Sequence, residues 1–259
     1  MGQPNYVFVA GLHRSGTSLL ASLIAQHPDV AAICDAPVPE QEGVFLQGAI
    51  PHTALHGVPG EFAHDPTQHL TETSRFNNLE TSERLNRDWA LWFETGRPWR
   101  LEKSPVNLLR SRLYQQLFPM AHFIFVVRHP LAVSRATVKW NAKGEAALLQ
   151  HWQAAHRIMA EDLRYLHCAL VLRYEDLCAA PRREMDRIAA FLDLHPGPLR
   201  QGLDRVTDGN AQYLTRPPET ALPEVAARLG YGNDGIAGPP AAEFCCRHVL
   251  RSVRESVDR

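Results

Sequence analysis

The chain has 259 residues, of which 45% are hydrophobic and 21% charged, with a formal net charge of −1. This length suits one large α/β domain over residues 1–259. The charge argues against a general nucleic-acid binder, and no apolar run is long enough to span a bilayer. No signal peptide is visible, and the five cysteines are scattered without metal-ligand spacing. We therefore expect thiols in a reducing, cytoplasmic environment.

The first predicted elements are a buried strand, a glycine-bounded loop and a helix. Tyr6–Ala10 is β-branched, aromatic and short, and Leu19–Ala25 is apolar enough for a helix packed on a sheet. Between a strand and a helix, successive backbone N–H groups and the positive helix end form an intrinsic anion site. The context favours a phosphate-binding loop.

The loop nearly matches the phosphate-binding pattern G-x-x-x-x-G-K-[ST]. Gly11, Gly16 and Ser18 fit, whereas Thr17 occupies the lysine position. A nucleoside-triphosphate enzyme needs that lysine for the β- and γ-phosphates, so its absence argues for a ligand without a triphosphate tail. Arg14 places a permanent cation where a group leaving the phosphate would sit. A P-loop small-molecule kinase or nucleotide hydrolase is the alternative.

The loop resembles the 5′-phosphosulfate loop of sulfotransferases that use 3′-phosphoadenosine 5′-phosphosulfate, in the form of the bacterial and tyrosylprotein-type branch. The resemblance implies a three-layer P-loop-type α/β fold, with a central, mainly parallel sheet flanked by helices. It also implies that the donor nucleotide is bound by the loop residues His13, Arg14, Ser15, Gly16, Thr17 and Ser18.

A long irregular stretch, Ala36–Pro66, follows the first helix and suggests a lid or substrate wall. Glu40 and Glu42 lie in it. A desolvated carboxylate could act as a general base, but paired glutamates in a loop are also typical of solvated surface. In the resembled family, an acidic motif after the first helix supplies the base. This implies Glu42 first and Glu40 second.

Several histidines follow these acids. Prolines and glycines surround His52, His56, His64 and His69, which argues against the regular helix that a zinc site would need. We expect surface or substrate-contact histidines, with His52 or His56 as the next candidates for the base.

The next predicted elements are an amphipathic helix, Leu79–Trp92, and a short strand in Trp99–Pro105. Lys103 falls at the carboxyl edge of that strand, where ligands bind in open α/β sheets. The string Glu102-Lys103-Ser104-Pro105 resembles a tyrosylprotein-type element whose lysine lies beside the transferred sulfonate.

A second strand-to-helix junction follows another helix, Val106–Leu117. The strand His122–Val127 ends at Arg128, and a helix follows Pro130. This junction resembles the family's 3′-phosphate motif, in which the arginine grips the phosphate. Ala136 stands where family members usually carry a serine, and Ser134 or Thr137 could substitute.

The remaining chain predicts two helices, Leu148–Leu166 and Arg182–Leu192, around a buried strand, Ala169–Tyr174. The string beginning at Tyr174 resembles a family element whose tyrosine contacts the nucleotide. By analogy, the irregular stretch 209–232 should close over the nucleotide. A final helix is expected over Phe244–Val257.

The resemblance implies transfer of a sulfonate from the donor to a hydroxyl or amine by in-line displacement. Glu42 would be the base, and Arg14 and Lys103 would stabilise charge without a metal. The acceptor is expected to be a small molecule or natural product. Besides the kinase alternative, a nucleotide-binding regulatory module without catalysis stays open.

Overall fold

A six-stranded sheet forms the centre of the molecule. The computed structural model describes residues 4–52, 58–249 and 251–252. The sheet order is β2-β3-β1-β4-β5-β8, parallel except for β8, and β6 and β7 form a separate antiparallel pair. The strands are β1 Asn5–Ala10, β2 Val30–Ala32, β3 Trp99–Lys103, β4 His122–Val127, β5 Cys168–Arg173, β6 Tyr231–Gly232, β7 Gly235–Ile236 and β8 Arg247–His248.

Helices cover both faces of the sheet. They are α1 Thr17–Ile24, α2 Leu79–Ala90, α3 Asn107–Leu117, α4 Pro130–Thr137, α5 Glu145–Asp162, α6 Tyr174–Ala179, α7 Pro181–Phe191, α8 Pro196–Leu199 and α9 Glu224–Arg228. Within the described residues, none of these helices is long and apolar enough to cross a membrane.

Alternation along the central strands creates a core on each face. In β1, Phe8 joins the cluster that packs against α2, α3 and α5, whereas Val7 and Val9 join the cluster that packs against α1 and α7. Strand β4 divides in the same way, with Phe123 on the first face and Ile124 on the second. The result is the predicted three-layer α/β fold with a mainly parallel sheet.

The chain differs from the sequence expectations mainly at short elements. Strand β2, with three residues, was not predicted, since so short a run shows no clear alternation. The expected final helix over Phe244–Val257 is wrong in its first part, where Arg247–His248 pairs with the edge of β5. Part of that expected helix, including Leu250 and Val253, lies outside the described residues.

Candidate active site

The loop between β1 and α1 forms a turn suited to an anion. Gly16 directly precedes α1 with φ 100°, a left-handed conformation that favours glycine. A Cβ added there would lie only 2.7 Å from Cδ2 of Tyr174. The first N–H groups of α1 have no intrahelical partners and carry the positive end of its dipole. This turn can therefore hold a phosphate.

A cleft of about 750 Å³ lies beside the turn, at the carboxyl ends of the central parallel strands. Its polar lining consists of His13, Arg14, Gly16, Thr17, Ser18, Glu40, Glu42, Arg128 and Tyr174, and its other lining residues are Leu19, Pro39, Phe45, Val58, Pro59, Pro105 and Trp140. Most of the predicted site residues are thus brought together in one cleft.

Glu42 and Lys103 form a buried ion pair at one wall of the cleft. The ammonium of Lys103, at the end of β3, lies 3.4 Å from Oε1 of Glu42 and donates a 2.7 Å hydrogen bond to the main-chain carbonyl of Glu40. Burial raises the pKa of Glu42 to about 7, although the positive charge of Lys103 opposes this shift. A carboxylate with a pKa near neutrality is well placed to exchange a proton.

Glu40 occupies a different environment from Glu42. Its side chain is exposed, and Oε2 accepts a 3.1 Å hydrogen bond from the hydroxyl of Ser18. Its backbone is left-handed, with φ 51°. Of the two alternative bases, Glu42 is therefore the one whose burial raises its pKa to about 7.

Glu102 connects the loop of Glu42 to the strand end of Lys103. Its fully buried carboxylate accepts hydrogen bonds from the N–H of Gly43 at 2.9 Å, from the hydroxyl of Ser104 at 2.5 Å and from the amide of Asn107. Burial raises the pKa of Glu102, and these bonds oppose the rise. Sequence reasoning assigned this residue no role, although a charged residue inside an apolar strand was the available signal.

His13 lines the cleft, whereas Ser15 lies in the protein interior. Burial, with a smaller effect from nearby Lys103, lowers the pKa of His13 to about 4, so its imidazole is neutral at pH 7. The His13 ring packs 5.9 Å from the ring of Phe62. Ser15 is fully buried, and its hydroxyl has no partner within the described part of the chain.

Arg128 is held by groups from distant parts of the chain. Its Nε donates to Oδ1 of Asn210 at 2.7 Å, and Nη1 donates to the main-chain carbonyl of Arg14 at 2.9 Å. The guanidinium also lies over the ring of Tyr174, 4.2 Å from its centre. The carboxylate of Glu175 fixes Asn210 by accepting a 2.7 Å hydrogen bond from its amide. Asn210 and Glu175 were missed because their partners are far away in the sequence.

Ser134 and Thr137 lie in α4, the helix that follows Arg128. The Thr137 hydroxyl donates a 2.7 Å hydrogen bond to the carbonyl of Val133 within α4, and the buried Ser134 hydroxyl has no partner among the residues described. Both residues line a separate cavity of about 10 Å³ next to His13. Neither is among the described residues that line the larger cleft, where Arg128 lies, and their role at the 3′-phosphate stays a prediction.

Tyr174 ties the segment after α8 to the cleft. Its hydroxyl donates to the carbonyl of Thr207 at 2.9 Å and accepts from the N–H of Gly209 at 3.0 Å. Arg14, another residue of the cleft, is exposed, and its guanidinium lies 5.0 Å from the ring centre of Trp140. Each of these two arginines of the cleft thus lies over an aromatic ring.

The described histidines that follow Glu42 each have a different neighbour. Nε2 of His69 lies 2.9 Å from a carboxylate oxygen of Asp162, and the ring of His64 packs near His151. His52 contacts the ring of Phe45, which lines the cleft, at 5.0 Å between centres. His56 lies outside the described residues.

Comparison with known proteins identifies the group to which this arrangement is related. The model of the sulfotransferase family matches residues 4–196. A protein-tyrosine sulfotransferase of Drosophila melanogaster is 26% identical over 211 residues, covering 73% of this chain and 38% of that protein. Protein-tyrosine sulfotransferase A of Caenorhabditis elegans is 22% identical over 212 residues, covering 73% of this chain and 50% of that protein. The chain thus matches half or less of the length of these two relatives.

Solved structures show the same fold at low identity. The sulfotransferase domain from the curacin biosynthetic pathway superposes with a TM-score of 0.51 and 16% identity, covering 100% of this chain and 99% of that domain. A sulfotransferase from Mycobacterium avium gives a TM-score of 0.52 and 13% identity, covering 79% of this chain and 69% of that protein.

Proposed function

The chain belongs to the sulfotransferase family, and we propose that it transfers a sulfonate from 3′-phosphoadenosine 5′-phosphosulfate to a hydroxyl or amine. One observation carries the proposal: the buried Glu42–Lys103 pair lies beside an anion-binding turn that has Thr17 where triphosphate enzymes have lysine. A base and a cation therefore stand next to a site for a single phosphate.

Glu42 acts as the general base in this proposal. It takes the proton of the acceptor as the acceptor's oxygen or nitrogen bonds to sulfur and the bond from sulfur to the 5′-phosphate oxygen breaks. Lys103 and Arg14 stabilise the charge that develops on the sulfonate and the leaving phosphate. Lys103 is fixed by its hydrogen bond to the carbonyl of Glu40, so little reorganisation is needed during reaction.

The turn from His13 to Ser18 would bind the 5′-phosphate end of the donor. Arg128 and Tyr174 would bind its other end, and the segment around Gly209, held by the Tyr174 hydroxyl, supports closure over the nucleotide. The aromatic and proline-rich wall, which includes Phe45 and Trp140, favours a small-molecule or natural-product acceptor with an apolar body.

The chemistry proposed needs no metal at the cleft, because Arg14 and Lys103 supply the positive charge. A cytoplasmic location remains a proposal based on cysteine use. Cys34, Cys178, Cys245 and Cys246 are free thiols, which suits a reducing compartment.

Thermal unfolding with nucleotides tests this function. Adenosine 3′,5′-bisphosphate should raise the melting temperature, because a ligand at a hundredfold excess over its Kd stabilises the folded chain by about 2.7 kcal/mol. ATP with magnesium should have a much smaller effect. Equal or greater stabilisation by ATP with magnesium would favour the kinase or hydrolase alternative. Binding without sulfonate transfer to any acceptor tested would favour a regulatory module.

A further inference from the structure

We propose that His122, Cys168 and His248 form a zinc site that fastens the C-terminal strand β8 to the sheet. They lie where β4 and β5 begin, at the opposite end of these strands from the cleft. In the part of the chain that the structure describes, β8 pairs with β5 through two residue pairs, one of which is Cys168 with His248. The few backbone hydrogen bonds of so short a strand stabilise it little, so a bound metal ion would hold β8 more firmly against β5.

The three side chains converge. Nε2 of His122 lies 3.3 Å from Nε2 of His248, and Sγ of Cys168 lies 3.5 Å from Nδ1 of His248. One donor atom from each residue lies within 4.8 Å of the others. Zinc bonds of about 2.0–2.3 Å in a tetrahedral site place nitrogens about 3.3 Å apart, and nitrogen and sulfur about 3.6 Å apart. The two short distances end on different ring nitrogens of His248, and an ion binds only one of them, so the His248 ring must turn for all three donors to reach one ion.

His122 is already oriented as a ligand. Its Nδ1 lies 3.1 Å from the carbonyl of Met120, which can only accept, so Nδ1 carries the proton and Nε2 presents its lone pair to the cluster. Metal-binding histidines commonly donate their other ring N–H to a backbone carbonyl in this way. The rings of Trp99 and Phe191 pack edge-on against His122 at 4.9 and 5.1 Å, which holds the imidazole in place.

His248 is the ligand that must adjust. Without metal, its Nδ1 accepts the N–H of Arg251 at 3.1 Å, so its Nε2–H donates to Nε2 of His122. Metal binding removes both of these hydrogen bonds, because the Nε2 lone pair of His122 goes to the ion and His248 either gives the ion its Nδ1 lone pair or, when it binds through Nε2, carries its proton on Nδ1. The thiol of Cys168 loses its proton to solvent and binds as thiolate. Two neutral imidazoles and one thiolate leave a fourth position for water.

The proposed zinc site lies away from the cleft, and its three residues form no local sequence motif. Arg128 directly follows β4 and lies six positions after His122, which corresponds to about 20 Å of extended chain. His122 and His248 are 126 residues apart, and Cys168 and His248 are 80 apart. The pairing of β4 with β5 places the start of β4 beside Cys168, and the pairing of β8 with β5 adds His248. The proposal does not depend on the function assigned to the cleft.

Metal titration of the full chain tests the proposal. After treatment with a chelator, the chain is titrated with Co²⁺ and then with competing Zn²⁺. We expect one ion per chain and a near-ultraviolet charge-transfer band from thiolate to cobalt. Cys168→Ala should abolish the band and weaken zinc binding on the order of a hundredfold or more. The matched control Cys246→Ala removes an exposed thiol two residues from His248 and should change neither.

A second variant covers the case in which Cys168→Ala does not fold. His248 is only partly buried at the sheet edge, so His248→Ala should keep the far-ultraviolet circular dichroism of the parent and still lose tight zinc binding. Zinc should also raise the melting temperature of the parent and not of this variant. The proposal is wrong if no stoichiometric binding occurs, or if binding survives both variants. Loss of the band in Cys246→Ala would assign the ion to the exposed thiols instead.

Discussion

The two strand-to-helix junctions at the cleft offer different kinds of groups to an anion. After β1, the anion site consists mainly of main-chain N–H groups, shaped by Gly16 at the start of α1. After β4, the candidate ligand is a side chain, Arg128, whose position depends on Asn210 and on Tyr174. The first site is a local product of one short motif, whereas the second requires parts of the chain that fold together only in the tertiary structure.

The two sides also differ in the groups beside them. The buried Glu42–Lys103 pair accompanies the first junction, and the second has an arginine surrounded by neutral and aromatic groups. If the proposed function is correct, substitutions on the first side should act mainly on turnover. Substitutions on the second side should act mainly on nucleotide affinity.

The largest expected effect is that of Glu42→Gln. Loss of the base should reduce turnover by roughly 10²–10⁴-fold and leave binding of adenosine 3′,5′-bisphosphate within a few-fold. Glu40→Gln is the matched control, because Glu40 is exposed and should keep most of the activity. Steady-state kinetics together with calorimetry measures both quantities. If Glu40→Gln is instead the impaired variant, the choice of base is reversed. Full activity in both variants would place the base elsewhere, with His52 or His56 next.

The next effect concerns Arg128→Ala. Removing a buried, charge-assisted phosphate partner should weaken binding of the 3′,5′-bisphosphate by about 2–5 kcal/mol, and weaken adenosine 5′-phosphate much less. Arg173→Ala is a control at the corresponding end of β5, where Arg173 pairs with Asp176. Arg173→Ala should change the free energy of unfolding, and it should change the affinities for the two nucleotides by the same factor. Equal losses for both nucleotides in Arg128→Ala would make Arg128 structural, with the 3′-phosphate held elsewhere.

Local patterns in the sequence predicted most of the fold and the first junction. The buried strand His122–Val127 and the turn ending at Gly16 lie where their residues indicate, because an apolar run, a proline or a glycine acts over short distances. Strand β8 escaped prediction because two residues carry no period, and pairing with β5 decides their structure.

The site could be predicted only in part for the same reason. The sequence identified Glu42 and Lys103 through a resemblance, and their 3.4 Å contact depends on Glu102, which binds the N–H of Gly43 from 59 residues away. Asn210 reaches Arg128 across 82 residues. No local pattern encodes contacts of this kind.

The pH dependence of turnover sharpens the assignment of Glu42. Burial raises its pKa to about 7, and a base works only when deprotonated. We expect kcat/KM to rise about tenfold per pH unit below this value and to level off above it, and this dependence should vanish in Glu42→Gln. Because the folded state holds this proton more tightly than the unfolded chain, the same group lowers the free energy of unfolding as pH rises from 4.5 to about 7. A flat profile in the parent enzyme would contradict this role.

The smallest effect is expected for Ser134→Ala. This variant tests whether a hydroxyl of α4 contacts the 3′-phosphate beside Arg128. A serine in α4 could donate to the 3′-phosphate beside Arg128 only if its hydroxyl faced the cleft. The Ser134 hydroxyl is instead buried and lines the small cavity with His13. Removing a hydroxyl that makes no hydrogen bond leaves no partner unsatisfied, so bisphosphate affinity should stay within about a factor of two. Calorimetry with the bisphosphate and with adenosine 5′-phosphate measures this. A selective loss for the bisphosphate would mean that α4 turns Ser134 toward the nucleotide on binding. In that case both junctions would bind phosphate through groups on their own helices, and the contrast between them would no longer hold.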